Sequence, residues 1–257
     1  MVEKVIEAKD IVVKYDGITV LDGVNLDVLK GDFLGIVGPN GGGKTTLLNA
    51  LLGNVKLSHG EVRLFGTDLS KFKEHHRIGY VAQHAIQFDP LFPATVEEIV
   101  RLGCISRNNL GRWITAADKE AVKEAMDAVG IYEVRKSKIS ELSGGQKQRI
   151  FIAKALVKRP ELLILDEAAS GLDVSIQDRF VNLLRQLRDE TGVTIVTVSH
   201  DLSSVMCQAN KLAIVNRKLE MTEITPGTDP TKSLRDAYGE HFTFVFHNHR
   251  DNCIIPR

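Results

Sequence analysis

Nine consecutive residues, Gly38-Pro39-Asn40-Gly41-Gly42-Gly43-Lys44-Thr45-Thr46, have the composition of a phosphate cradle. Glycines let backbone N–H groups turn inward onto phosphate oxygens. Lys44 adds a point charge for the outer phosphates, and the Thr45 hydroxyl is a ligand for Mg²⁺. The segment fits G-x-x-x-x-G-K-[ST], follows the apolar run Phe33 to Val37 and opens a stretch with helical spacing, as that motif requires. The helix beginning at Lys44 points its positive end at the same anion.

Two carboxylates follow an uninterrupted apolar run, Leu162-Leu163-Ile164-Leu165-Asp166-Glu167. A run of that length suits a buried strand, and ligands of open α/β sheets gather at the carboxyl ends of strands. Asp166 is placed to hold Mg²⁺, and Glu167 to orient an attacking water as a base. A second apolar strand, Val193 to Val198, leads through Ser199 into His200, a candidate donor to a terminal phosphate. Gln83 likewise follows a strand, Ile78 to Ala82, with reach to metal or water. Tyr15 precedes the turn at Asp16-Gly17 and has a ring suited to stacking on adenine.

A second anion site is written at Leu142-Ser143-Gly144-Gly145-Gln146. Ser143 and Gln146 have the Ser-x-x-Gln spacing of a capping box, so a helix begins there. Gly144 and Gly145 leave its first N–H groups unshielded. One cradle already surrounds one set of phosphates. Either the chain binds two anions, or this helix meets the nucleotide of a second copy.

The elements that must position these groups alternate between strands and helices. Val5 to Val13 and Ile18 to Leu29 read as a strand pair, Glu61 to Phe65 as another strand, and Lys211 to Thr225 as a closing hairpin. Thr95 to Cys104, Thr115 to Val129, Gly145 to Val157 and Val174 to Glu190 read as helices. This is an α/β chain with parallel central strands and a helical insertion over about 87–158. The segment after Pro226 is polar and carries no clear pattern.

Composition narrows the possible roles. The 257 residues are 43% hydrophobic and 26% charged, as in ordinary globular proteins. Lysine and arginine, 33 in all, balance 33 acids, which disfavours a nucleic-acid partner. Cys104, Cys207 and Cys253 are far apart and odd in number, as expected in a reducing compartment. The sequence has no apolar run of membrane-spanning length, so a membrane role calls for another subunit.

Taken in order, Tyr15, Gly38 to Thr46, Gln83, Leu142 to Gln146, Leu162 to Asp166, Glu167, Ser170-Gly171-Leu172-Asp173 and His200 resemble the motif set of ABC transporter nucleotide-binding subunits. In that family these are the adenine-stacking aromatic, Walker A, Q-loop, signature, Walker B, catalytic glutamate, D-loop and H-switch. The resemblance spans nearly the whole chain. It implies a P-loop core with a mixed sheet, an N-terminal antiparallel β subdomain and an α-helical subdomain within residues 1–240. It also implies ATP and Mg²⁺, the metal held by Thr45, Gln83 and Asp166. Glu167, Gln83 and His200 would act in catalysis. Two copies would close face to face on ATP, with Asp173 coupling the sites. Membrane permease subunits and, indirectly, an external substrate-binding protein complete the implied assembly at the cytoplasmic face of a membrane.

The segment from Gln83 to Val96, with Asp89-Pro90 and Phe92-Pro93 before Thr95-Val96-Glu97-Glu98, resembles zinc, manganese and iron-type importers. So do Ser137 to Leu142 and Gln148 to Ala153. In such importers this region receives a helix of the permease, for which Phe88, Leu91 and Phe92 are suited. The family's usual proline after the glutamate is Ala168 here, and Ala82 stands where proline often precedes the Q-loop. At the end of the sequence, His241, His247, His249 and Cys253 fit either a zinc site or a plain polar tail. A soluble ABC-type scaffold, such as an iron–sulfur assembly ATPase, is the competing class, and an ABC importer of another substrate is the other alternative.

Overall fold

The computed structural model describes residues 3–83, 93–105, 110–168, 174–199, 202–206, 208–225 and 228–239. In chain order, the first elements are β1 (Lys4–Tyr15), β2 (Ile18–Leu29), β3 (Phe33–Val37), α1 (Lys44–Leu51), β4 (His59–Leu64) and β5 (Thr67–Asp68). Then come β6 (Ile78–Val81), α2 (Val96–Arg101), α3 (Ala116–Ala128), α4 (Gly144–Leu156), β7 (Leu162–Asp166) and α5 (Val174–Thr191). The last are β8 (Thr194–Val198), α6 (Leu202–Met206), β9 (Lys211–Asn216), β10 (Lys218–Glu223) and α7 (Thr231–Tyr238). They fall into two compact units, Met1–Lys73 with Thr194–Arg257, and Glu74–Val193.

The first unit holds an antiparallel sheet in the order β2-β1-β4-β5. Asp16 and Gly17, with φ of 49° and 81°, make the left-handed two-residue turn that joins β1 to β2. Val5, Ile6, Ala8, Ile11 and Val13 of β1 are buried. The register shifts around Asp10, which lies at φ 51°, and the strand remains paired on both edges.

In the same unit β3 pairs in parallel with β8 and β9, and β10 turns back antiparallel to β9. All five residues of β3 are buried, as an apolar run covered on both faces must be. The hairpin expected at Lys211 to Thr225 turns on the single residue Arg217, held at φ 59°. The polar segment after Pro226 contains α7, a helix that its composition conceals because only Leu234 is buried.

The second unit contains the parallel pair β6 and β7 and the helices α2 to α5, and the stretch 87–158 lies within it. Arg77 and Glu161, just before the two strands, are ion-paired at 2.6 Å. Ile150, Phe151, Ile152 and Ala153 are all buried, so α4 is covered around its whole circumference there. The helix expected over Thr95 to Cys104 is α-helical only to Arg101 and ends in a 3₁₀ turn, Leu102–Cys104. Gly103 explains the change: a Cβ there would stand 2.2 Å from the Lys154 carbonyl oxygen, so the chain passes backbone to backbone against α4.

Candidate active site

The cradle belongs to the first unit. Gly38 has φ 154°, and a Cβ on it would lie 2.0 Å from the Val215 carbonyl oxygen of β9. Only glycine fits. The Arg217 N–H donates to the Gly42 carbonyl at 2.9 Å, so the β9–β10 turn braces the loop. Gly43, at φ 103°, is the N-cap of α1 and offers no side-chain cap.

Lys44 is only 6% exposed, and its ammonium donates to the carbonyls of Gly38 at 2.9 Å and Pro39 at 3.0 Å. Those two bonds hold the charge against the loop. Asn40, Gly41 and Thr45 are exposed, while Gly42 and Gly43 are buried. The Tyr238 hydroxyl on α7 hydrogen-bonds to the Gly38 backbone, and burial raises its pKa above the usual phenol value. No residue pattern points to this tyrosine, because one buried leucine leaves α7 without a readable period.

The carboxylates belong to the second unit. β7 is buried throughout and ends in Asp166, itself 3% exposed. Glu167 follows at φ 47°, a left-handed conformation costly for a residue with a Cβ. Gln83 Nε2 donates to Glu167 Oε2 at 2.7 Å, so two residues far apart in sequence form one polar cluster. Tyr80 on β6 hydrogen-bonds to Asp166, and its phenol is raised first by burial and then by the Asp166 charge. Tyr80 occupies a strand position of no special pattern, which is why it was overlooked. Among the described residues no group of three or more His, Cys, Asp or Glu is arranged to hold a metal.

The glycine-tipped helix is also in the second unit. Ser143 Oγ accepts from the Gln146 N–H at 3.3 Å, and Gln146 Oε1 accepts from the Ser143 N–H at 3.0 Å. The capping box is complete, with Gly144 and Gly145 at the first two helical positions. Leu142 is buried and anchors the approach. A cavity of 390 Å³ opens beside this tip, lined by Ser143, Gly145, Gln146, Arg149 and Arg179 among others. The two arginines make it suited to an anion.

Tyr15 is 46% exposed, and Thr46 is half-buried at the start of α1. His200, Ser170, Gly171, Leu172 and Asp173 lie outside the described residues, as do Phe88, Leu91, Phe92 and the histidine-bearing segment 241–257. Leu102, Ile105, Leu110 and Trp113 of the second unit are each exposed, and no periodicity in the sequence marks them. No helix of the described residues is long and apolar enough to cross a membrane.

A glycine cradle braced by β9 and capped by a lysine, with a strand-end carboxylate pair elsewhere in an α/β chain, defines a phosphate-loop nucleotide-binding protein. The family model for "ABC transporter" matches residues 21–170. The chain belongs to the ABC transporter family, as an ATP-binding subunit. It is 40% identical over 216 residues to the zinc uptake system ATP-binding protein ZurA of Listeria innocua, covering 84% of each chain. The manganese transport system ATP-binding protein MntB of Bacillus subtilis is 32% identical over 241 residues, 93% of this chain and 94% of the relative. Among solved structures, a dimeric ATP-binding cassette in a post-hydrolysis state with ADP and Pi superposes with a TM-score of 0.69 at 26% identity, over 85% of this chain and 98% of that one.

Proposed function

We propose that this chain hydrolyses ATP to energise a membrane permease that imports a transition-metal ion of the zinc or manganese class. The observation that carries the reading is the near full-length match to relatives named for zinc uptake and manganese transport. The site chemistry supports the ATPase half. Lys44 and the loop N–H groups bind phosphate oxygens, and the Gln83 amide fixes the carboxylate of Glu167, which orients the attacking water.

Thr45 and Asp166 are hard oxygen donors of the kind Mg²⁺ takes, with the amide oxygen of Gln83 as a further candidate. Bound Mg²⁺ supplies charge neutralisation on the phosphates. Tyr15 stacks on adenine, and His200 senses the terminal phosphate. Leu142 to Gln146 meet the nucleotide of a second copy, with Asp173 at the shared face, so ATP closes a homodimer and hydrolysis releases it. Coupling requires only that ATP bind the closed dimer better than the open one.

The permease and an external binding protein are the partners of this reading, and the inner membrane face is its location. The exposed apolar residues Leu102, Ile105, Leu110 and Trp113 are the kind of surface an integral subunit covers. The test is ATP turnover by the complex of this chain and its permease in liposomes, against a panel of divalent ions. Stimulation by zinc or manganese with uptake into the vesicles is expected. Turnover that ignores every divalent ion, or a chain that never associates with a permease, would refute the import role and favour the soluble scaffold.

A further inference from the structure

We infer that Gln148 is a positioning residue that ties the glycine-tipped helix α4 to the conformation of Glu167. The inference rests on the ATPase reading above and adds a residue that reading does not use. Gln148 lies in the second turn of α4 and is 1% exposed. Its Nε2 donates to the Ala168 carbonyl oxygen, the residue directly after Glu167. Only this orientation of the amide is chemically acceptable, since the reverse would set one oxygen against another.

The other end of the amide, Oε1, is buried with no hydrogen-bond partner among the described residues. A half-satisfied buried amide is a poor way to build a core, where methionine or leucine would fill the space without a polar penalty. Such a group calls for a reason beyond packing.

Its location supplies that reason. Glu167 sits at φ 47°, and a non-glycine residue stays in that region only when its surroundings over-determine it. Two amides do so here. Gln83 holds the Glu167 side chain at 2.7 Å, and Gln148 holds the main chain one peptide further on. The first sets where the carboxylate points, and the second keeps the turn from relaxing to a right-handed or extended form.

Gln148 also faces the region where a second nucleotide would act. It lines the same cavity as Ser143, Gly145, Gln146, Arg149 and Arg179. From Gly145 to Gln148 is three residues, about one turn of a rigid helix. A shift of the helix tip on engaging an anion therefore moves the Gln148 amide, and with it the Ala168 carbonyl and the Glu167 turn. The helix thus reports the partner's nucleotide to this copy's own base.

The test uses the full chain with two variants, Gln148→Met and Gln148→Glu. Equilibrium binding of a fluorescent ATP analogue and single-turnover hydrolysis are measured on each, with thermal unfolding as a control. For Gln148→Met, affinity within twofold of wild type is expected with hydrolysis slowed on the order of 10²-fold, as for a catalytic group misplaced by about 1 Å. In Gln148→Glu, burial beside the Ala168 oxygen raises the carboxyl pKa, and only the ionised form lacks a donor and repels that oxygen. The variant's hydrolysis, relative to wild type at each pH, should recover as acidification protonates the carboxyl and restores a donor. A wild-type rate in Gln148→Met, affinity and rate falling together, or a pH-independent Gln148→Glu defect would overturn the proposal. So would the failure of both variants to fold, which would assign Gln148 to the core alone. Absence of hydrolysis by the wild-type chain would instead remove the ATPase reading itself.

Discussion

Gln83 and Glu167 meet side chain to side chain at 2.7 Å, the amide after β6 donating to the carboxylate after β7. Their strands are paired in register, Val81 opposite Leu165, so the backbone itself brings the two ends together. The contact separates orientation from chemistry. Glu167→Gln keeps a neutral side chain of the same shape, but no base. ATP affinity should hold within a few-fold while hydrolysis falls roughly 10²- to 10⁴-fold. Phosphate release and nucleotide binding on the same sample check it, and an unaltered turnover rate would take the base's role from Glu167.

In the cradle, Lys44 and Gly38 fail in different ways. Lys44→Ala removes a charged donor, worth about 1.5–3 kcal/mol, so ATP affinity should drop roughly 10- to 100-fold without loss of fold. Gly38→Ala places a methyl group 2.0 Å from the Val215 carbonyl oxygen and forces the loop off β9. It should lower the melting temperature as well as binding. Isothermal titration with ATP, paired with thermal scans, distinguishes the two.

Gly145 faces α5 closely. A Cβ on it would stand 2.8 Å from Ile176 Cγ2, so Gly145→Ala tilts the helix tip unless that methyl group yields. In the proposed dimer this should block ATP-dependent association while leaving binding to the monomer intact. Adding Ile176→Leu removes the β-branch at nearly constant volume and should restore part of the association. Light scattering of the Glu167→Gln background with and without ATP gives the readout. ATP-dependent dimerisation of Gly145→Ala equal to that of its Glu167→Gln parent would free the tip from any role at an interface.

Much of this was legible from residue spacing, and the reasons differ by element. β2 and β3 have their expected limits because their apolar patterns are dense and their ends are marked by glycine. The Ser143–Gln146 box was readable since capping is local chemistry. The 3₁₀ turn at Leu102–Cys104 was not, because it depends on how closely Lys154 approaches Gly103. α7 escaped notice because one buried leucine sets no period. Tyr80 and Gln148 were invisible for a related reason: their importance comes from partners 86 and 20 positions away, Asp166 and Ala168, which no local pattern encodes.

Acid should reveal the helix caps of the second unit. The Thr115 hydroxyl, then its backbone N–H, hold the Asp118 carboxyl below the usual range, and the Thr95 backbone N–H, then its hydroxyl, do so for Glu98. Both folded pKa values are depressed. Their contribution is therefore present above the unfolded values near about 4 and is lost as pH falls through the folded ones. Thr115→Ala should cost about 1 kcal/mol at neutral pH, a shift of roughly 2–4 °C in melting temperature. The gap between variant and wild type should narrow below about pH 4. A gap that widens on acidification would contradict the sign.

Trp113 offers a probe of the surface assigned to the permease, because it is the sole tryptophan of the chain and is 91% exposed. In the isolated subunit its fluorescence should be that of a hydrated indole, readily quenched by acrylamide. If the apolar group of Leu102, Ile105, Leu110 and Trp113 is what an integral partner covers, assembly should shift the emission to the blue and protect it from the quencher. Trp113→Ser should then weaken association by about 10-fold or more, as expected for a buried aromatic anchor, without altering ATP affinity. Emission and quenching unchanged in the assembled transporter would move the docking face elsewhere on the chain, since an indole this exposed cannot enter an interface without changing its solvent.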